Sequence, residues 1–165
     1  MLFRSLSCHE LASISERRIN QIMDPQWSKQ NAFLSNKEGL ESGLMIIQYV
    51  AAALISELQL LSNPVTTSNV PVSLGKEDHV SMGATSTFRT VRSTELLSQV
   101  IANEMICSAE ALGRIDYRAG IGVTRITDWI RSYIPPLTSD RAMTAECEDL
   151  SSALLNGDLS LNLGD

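Results

Sequence analysis

A long stretch without proline, from Glu77 to about Gly113, constrains the fold more than any other feature of this sequence. Its second half carries mostly apolar side chains at the three-and-four spacing of a helix packing face: Leu97, Val100, Ile101, Met105, Ser108 and Leu112. A continuous helix of this length would span about 55 Å at about 1.5 Å per residue. A compact globule of 165 residues measures only about 40 Å across. We therefore predict an all-α, long-helix bundle in which other chains lie alongside, rather than a compact monomer.

The region before this stretch predicts two helices. The first covers about residues 10–23 and ends at Asp24-Pro25, because the residue before a proline disfavours helical backbone. Four residues at helical spacing mark its expected packing side: Leu11, Ile14, Arg18 and Ile22. The second covers about residues 40–61 and is apolar on nearly every face, which is typical of a helix surrounded by protein.

The C-terminal region predicts two shorter helices. One covers about residues 124–133 and stops at Pro135-Pro136. The other covers about residues 139–155, with Ser139 as its N-cap and Asn156-Gly157 as its end signal. We expect all these helices to form a single helical domain over residues 1–165.

Composition excludes several classes of protein. The formal net charge of −6 disfavours nucleic-acid binding, which needs a basic surface, and equally disfavours an anionic membrane surface. The most apolar run, residues 44–55, is too short to span a bilayer. Three widely separated cysteines, Cys8, Cys107 and Cys147, match no metal-ligand spacing and predict free thiols. Without a recognisable secretory leader, the expected location is the cytoplasm.

Generic catalytic motifs are absent from the sequence. Cys8 and His9 are neighbours whose side chains would point apart on a helix, so they form no nucleophilic pair. There is no Gly-x-Ser-x-Gly turn, phosphate loop or His-x-x-x-His pair. With two histidines in total, a zinc site is not expected.

Four blocks nevertheless resemble one family in order and spacing. They are ELASISERRI (10–19), GLESGLMIIQYVAAALISE (39–57), KEDHVSMG (76–83) and DYRAG (116–120). Together they resemble the C-terminal portion of the aromatic amino-acid ammonia-lyases, most closely the histidine ammonia-lyases. The resemblance covers residues 10 to about 155, and residues 1–9 do not clearly match the segment expected before the first block.

The resemblance implies an all-helical tetramer whose active sites combine several subunits around a central helical bundle. It implies removal of the amino group and a proton from L-histidine, which yields urocanate and ammonia. The electrophile of the family is a methylidene-imidazolone group, formed by cyclisation of an internal Ala-Ser-Gly tripeptide.

This sequence departs from the family in lacking Ala-Ser-Gly; its nearest match is Glu41-Ser42-Gly43, in a different block. The N-terminal portion of the family, with its catalytic tyrosine and substrate-binding asparagine and arginine, is also missing. We therefore expect no cofactor in this chain, and expect the methylidene-imidazolone group to come from a separate N-terminal chain.

Glu77 is the candidate catalytic residue. In the matching Glu-Asp-His-Val-Ser-Met motif of histidine ammonia-lyases, the glutamate reaches the active site and handles the substrate amine. A carboxylate suits this task because it can hold an ammonium group or take its proton. The alternative is that Glu77 and Asp78 are only acids in a first helical turn, where the helix dipole favours them.

Met45 is the candidate substrate-binding residue. It matches the position where histidine-specific members carry methionine against the imidazole ring and plant phenylalanine-specific members carry lysine. The alternative is an adaptable side chain that fills space in a buried helix, as most core methionines do. The pairing of Met45 with Glu77 resembles the histidine-type members more than the tyrosine or phenylalanine types.

Other residues near these blocks have structural interpretations. Lys76 replaces a glutamine common in histidine lyases, and its charge beside Glu77 would weaken that glutamate as a base. His79 belongs to the motif, but a lone helix histidine is more often a packing residue, so we assign it no catalytic role. Arg17 and Arg18 are expected to pair with acids of neighbouring helices.

Three interpretations follow. The first is a C-terminal subunit of a histidine ammonia-lyase-like enzyme, inactive alone, which contributes Glu77 and Met45 to a site completed by a separate N-terminal chain. Its partners would be further copies of itself, most simply in a tetramer, and that N-terminal chain. The second is a non-catalytic helical oligomerisation protein derived from the lyase. The third is a piece of a longer enzyme.

Overall fold

The computed structural model describes residues 2–116 and 118–159 of the chain. Within these ranges the chain is all-α, as predicted, and its one piece of β-type pairing is an isolated bridge between Val72 and Glu77. The helices are α1 Leu2–Met23, α2 Pro25–Ser28, α3 Met45–Leu61, α4 Gly83–Leu112, α5 Ile121–Tyr133 and α6 Thr144–Asn156. Tyr117, in the fourth block of the resemblance, lies outside the described residues.

Helices α1, α3 and α4 form a bundle in which α3 runs antiparallel to both of the others. Four hydrogen bonds fix these directions: Ser62 to Ser5, Gln48 to Glu16, Arg92 to Glu57 and Arg89 to Asn63. Helix α6 packs against α4, and α5 contacts both α4 and α6. The core therefore lies around the middle of α4.

Three helix ends are confirmed. Helix α1 ends at Met23, and the Asp24 carboxylate then accepts a hydrogen bond from the Gln26 amide at 2.8 Å to start α2. Helix α5 ends at Tyr133, shortly before Pro135. Helix α6 ends at Asn156, and Gly157 adopts the left-handed backbone, with φ of 83°, that favours glycine after a helix.

The predicted helix starts are wrong by three to eight residues. Helix α1 begins at Leu2 instead of residue 10, α3 at Met45 instead of 40, α5 at Ile121 instead of 124, and α6 at Thr144 instead of 139. Ser139 is therefore not an N-cap, and the residue that occupies this position in α6, Met143, makes no side-chain capping bond. Helix starts are set by distant contacts as much as by the local sequence.

The long helix is shorter than predicted. It begins at Gly83 instead of Glu77 and contains 30 residues, which corresponds to about 45 Å. This length exceeds the expected diameter of the chain only slightly, so helix length by itself is weak evidence for other chains lying alongside.

The predicted packing side of α1 is wrong at Leu11 and Ile14, whereas the predicted Ile22 does pack against the core. Leu11 and Ile14 are 54% and 52% exposed, whereas Ala12 and Ile19 are fully buried. The buried side of α1 therefore contains Ala12 and Ile19, and the larger Leu11 and Ile14 face outward.

On α4, the predicted Val100 is buried, but the other main core positions are neighbours of the predicted ones. Leu96 and Ile106 are buried, in place of Leu97 and Met105, which are only half-buried. The predicted rotation of α4 about its axis is therefore wrong by about one residue.

Helix α3 is not surrounded by protein within this chain. Ile47, Ala51 and Leu58 are its buried residues. Large apolar side chains on its other side are open: Ile46, Tyr49, Val50 and Leu60 are 45–67% exposed. Among the residues described, no helix is both long and apolar enough to cross a membrane.

Candidate functional site

The segment that carries Glu77 is a closed turn before α4, not the start of that helix. The backbone amide of Val72 donates to the Glu77 carbonyl at 2.8 Å, and the Glu77 amide donates back to the Val72 carbonyl at 3.3 Å. The Val80 amide donates to Asn69 Oδ1 at 2.9 Å, and Asn69 Nδ2 donates to the Val80 carbonyl. Asn69 thus holds Val80 in place and delays the helix until Gly83.

The tip of this turn has an unusual backbone. Ser73, Leu74 and Gly75 all have positive φ values, of 56°, 58° and 79°. Such values cost non-glycine residues free energy and persist only where the surrounding structure enforces them. The side chain of Leu74 is fully exposed, so the turn presents an apolar side chain to its surroundings.

The Glu77 side chain is exposed, and no hydrogen bond or ion pair to it exists within the described part of the chain. Asp78 and His79 are exposed beside it. The interpretation of Glu77 and Asp78 as acids of a first helical turn is wrong, because α4 begins six residues after Glu77. The carboxylate is therefore available to a ligand or to another chain.

Lys76 is also exposed and forms no ion pair with Glu77 within residues 2–116 and 118–159. Of the two arginines in the first block, Arg18 pairs with Glu104 on α4 at 2.6 Å, as expected for a contact between helices. Arg17 pairs with Glu16 on its own helix at 2.5 Å instead.

Met45 is the first residue of α3 and is half-buried. The residues just before it are tied to the α5–α6 connection, where the Asp140 carboxylate accepts hydrogen bonds from the amides of Ser42 and Gly43. No sequence pattern connects Asp140 to Gly43, since 97 residues separate them. Asp140 is therefore a candidate site residue that the sequence does not indicate.

Two cavities lie near the predicted site residues, but neither is lined by Met45 or Glu77. The first, about 640 Å³, lies between the start of α3, the middle of α4 and the start of α6. The second, about 510 Å³, is bordered by residues 79–83 of the motif and by the end of α3. Neither of these two cavities therefore brings the two predicted site residues together.

The three thiols are free and poorly suited to nucleophilic chemistry. Burial, and then the nearby charge of Glu146, raises the pKa of the Cys147 thiol to about 11. Burial raises the pKa of the fully buried Cys107 thiol still further, and also raises that of Cys8. All three thiols thus remain protonated near neutral pH.

The nearest match to the family tripeptide does not fit the electrophile. In Glu41-Ser42-Gly43 the amides of Ser42 and Gly43 both donate to Asp140, at 2.7 and 2.9 Å. Gly43 is packed so closely that an added Cβ would lie 2.4 Å from the Phe33 carbonyl oxygen. This tripeptide therefore serves to start α3, and glutamate occupies the position of the alanine.

A family model described as "Aromatic amino acid lyase" matches residues 3–132. This chain belongs to the aromatic amino acid lyase family. The match begins before the first sequence block, so the expectation that residues 1–9 fall outside the family pattern is wrong for residues 3–9. These residues continue α1 toward its N-terminus.

Relatives of this lyase-family chain include two bacterial histidine ammonia-lyases. The enzyme from Deinococcus radiodurans is 40% identical over 150 residues, which is 91% of this chain and 29% of the relative. The enzyme from Myxococcus xanthus is 35% identical over 156 residues, or 94% of this chain and 31% of the relative. The chain thus spans about 30% of the length of the relatives it matches.

Two solved structures superpose closely on the chain. Histidine ammonia-lyase from Trypanosoma cruzi gives a TM-score of 0.90 at 31% identity, covering 96% of this chain and 32% of that protein. Tyrosine aminomutase from Streptomyces globisporus gives 0.89 at 27% identity, covering 96% and 31%. The predicted long-helix, histidine ammonia-lyase-like fold is confirmed.

Proposed function

We propose that this chain is the C-terminal part of a histidine ammonia-lyase-type enzyme that converts L-histidine to urocanate and ammonia. The observation that carries the proposal is the Glu77 carboxylate, which is exposed and unpartnered within the described residues, on a turn held by Asn69. A carboxylate left open in a segment that resembles the family's site motif is available to line a pocket shared with another chain. The similarity to histidine ammonia-lyases supports the same conclusion.

The roles of the two residues follow from their chemistry. In the reaction, the bond from the α-carbon to the amino nitrogen breaks, a proton leaves the β-carbon, and a carbon–carbon double bond forms. Glu77 would hold the substrate ammonium group or take a proton from it. Met45 would pack its polarisable side chain against the imidazole ring. Burial by a partner chain would strengthen the ionic contact that Glu77 makes with the ammonium group.

The methylidene-imidazolone group would come from a separate N-terminal chain. The family is the group of lyases that depends on this electrophile, yet the present sequence contains no Ala-Ser-Gly. That chain would also bring the catalytic tyrosine and the substrate-binding asparagine and arginine expected from the resemblance.

Association with other chains is supported by apolar side chains that this chain does not bury. The most exposed of these on α1, α3 and α4 are 60–78% exposed: Phe3, Ile46, Tyr49, Leu60 and Phe88. Ile46, Tyr49 and Val50 lie three and four residues apart, on one face of α3, and exposed apolar side chains that lie together mark interaction surfaces. We propose that copies of this chain form a tetramer with the N-terminal chain, in the cytoplasm, as part of histidine catabolism.

A reconstitution experiment tests the proposal. The chain is co-expressed with the part of the Deinococcus radiodurans enzyme that precedes its 150 matched residues, and urocanate is measured by ultraviolet absorbance. The matched control divides the Deinococcus enzyme at the same point and pairs its own two parts. We expect urocanate from both mixtures, and none from the present chain alone.

Substitutions in the mixture identify the residues responsible. Glu77→Gln should abolish turnover while leaving assembly intact, and Lys76→Gln should increase turnover, because the neighbouring positive charge is removed. Turnover in the control mixture with none from the mixture containing this chain would contradict the proposal.

The alternative is a non-catalytic helical assembly protein derived from the lyase. Lys76 favours it, because it replaces the glutamine common in histidine lyases, and so do the exposed apolar side chains of α3. On this alternative, Glu77→Gln changes neither the oligomeric state of the assembly nor any other property of it that is measured. Loss of urocanate production in that variant would exclude it.

A further inference from the structure

The connection between α5 and α6 fixes the start of α3 through one carboxylate. Asp140 Oδ2 accepts a hydrogen bond from the Ser42 amide at 2.7 Å, and Asp140 Oδ1 accepts one from the Gly43 amide at 2.9 Å. Hydrogen bonds from neutral donors to a charged acceptor are stronger than those between two neutral groups. Both carboxylate oxygens of Asp140 are therefore hydrogen-bonded to the backbone just before Met45.

The same backbone is held from its other side by the turn at Phe33. The Leu44 amide donates to the Phe33 carbonyl at 2.9 Å. Gly43 has a φ of 57°, and an added Cβ would lie 2.4 Å from that carbonyl oxygen. The chain immediately before Met45 is thus fixed between the Phe33 turn and Asp140.

The first turn of helix α3 contains no acidic residue of its own. Its N-cap residue, Leu44, makes no side-chain hydrogen bond. The Asp140 carboxylate supplies negative charge close to the positive end of the helix dipole. Arg141, the next residue after Asp140, pairs with Glu146. It therefore does not compete with α3 for the carboxylate of Asp140.

We propose that Asp140 is a positioning residue that sets the place of Met45 at the wall of the substrate pocket. The inference rests on the proposed function, because it assumes that Met45 contacts the substrate ring. Asp140 itself touches no substrate in this proposal. It acts by keeping the first turn of α3 in one position, so that Met45 has a fixed position when the pocket forms.

Amide hydrogen exchange on the isolated chain tests the structural half of the proposal. We expect the amides of Ser42 and Gly43 to exchange at least about tenfold faster in Asp140→Asn and Asp140→Ala than in the wild type. The matched control is Asp149→Asn, which removes an exposed acid of α6 that makes no hydrogen bond or ion pair within the described residues. Equal exchange in all three variants and the wild type would overturn the proposal.

Kinetics on the reconstituted complex test the functional half. We expect Asp140→Ala to raise KM for L-histidine roughly tenfold, with kcat within about twofold of wild type, as expected when binding of the substrate ring is weakened. Asp140→Asn, which keeps one acceptor oxygen, should give a smaller increase. Asp149→Asn should change neither constant.

A double-mutant cycle separates positioning from general support of the fold. If Asp140 acts through Met45, the double variant Asp140→Ala, Met45→Ala should have the same KM as Met45→Ala alone. Independent effects that multiply would overturn the proposal, as would an unchanged KM in Asp140→Ala. Absence of turnover from the wild-type mixture would instead overturn the proposed function, and this inference with it, while the exchange experiment still reports on the contact itself.

Discussion

Two glutamates of this chain occupy opposite environments. Glu110, on α4, is buried and accepts hydrogen bonds from Arg114 and Arg131 at 3.0 Å each and from the Leu137 amide at 3.2 Å. Glu77, on the turn before α4, is exposed and has no such partner within the described residues. A carboxylate whose partners all lie in its own chain holds the fold together, whereas one without partners is available for chemistry or assembly.

The comparison extends to the regions around the two residues. The Glu110 region joins α4, α5 and the backbone at Leu137 into one buried contact. The turn around Glu77 is held mainly by the paired backbone at Val72 and by Asn69. The contacts of the first region all lie within this chain, whereas the second region leaves the side chains of Glu77 and Leu74 exposed.

The largest effect is expected at Glu110. Glu110→Ala leaves Arg114 and Arg131 without their shared acceptor, which should lower the free energy of unfolding by roughly 3–5 kcal/mol. Glu77→Ala, the matched control, should leave it unchanged. Urea denaturation followed by circular dichroism measures both, and equal losses would contradict the distinction between the two regions.

A second prediction concerns Cys147, which lies on α6 and packs against the hydrophobic core. Its pKa of about 11 in the folded chain lies two units above the ordinary value of 9.0, so at pH 8 it should carry about a hundredfold less thiolate than in the unfolded chain. The thiol is protonated below its pKa, so alkylation should stay slow at pH 8 and accelerate toward pH 11. Mass spectrometry after iodoacetamide treatment at several pH values measures the rate, and rapid modification of folded protein at pH 8 would contradict the prediction.

A third prediction sharpens the account of the Glu77 turn. Asn69→Ala removes both hydrogen bonds to Val80 and should lower the free energy of unfolding by about 1 kcal/mol. It should also speed exchange of the Val80 amide, while Asn63→Ala, which loses one exposed bond within its own turn, should not. An unchanged Val80 exchange rate would show that something other than Asn69 holds the turn.

The smallest effect on folding is expected at the tip of the turn. Leu74→Ser should leave the free energy of unfolding unchanged, because the side chain is fully exposed. It should still weaken assembly with other chains, as measured by sedimentation velocity. Leu40→Ser changes another exposed leucine, outside this turn, and serves as the control. If Leu74→Ser and Leu40→Ser assemble to the same extent, the turn is not part of the interface.

The candidate site was only partly predictable from sequence. The resemblance of KEDHVSMG to the family motif selected Glu77, and the tests above decide whether that selection is right. The turn that presents Glu77 was mistaken for a helix start, because no local pattern indicates that Asn69 holds Val80, 11 residues away. The local sequence indicates even less about Asp140, because its partners Ser42 and Gly43 lie 98 and 97 residues away along the chain.

The sequence by itself determined that the chain is helical and where its helices end. Prolines and glycines act on the backbone within one or two residues, so Asp24-Pro25, Pro135-Pro136 and Gly157 are readable without a structure. Only the tertiary structure decided where helices begin, which sides are buried and which carboxylate remains open. Those features depend on contacts between residues far apart in the chain, and such contacts leave no periodic signal in the sequence.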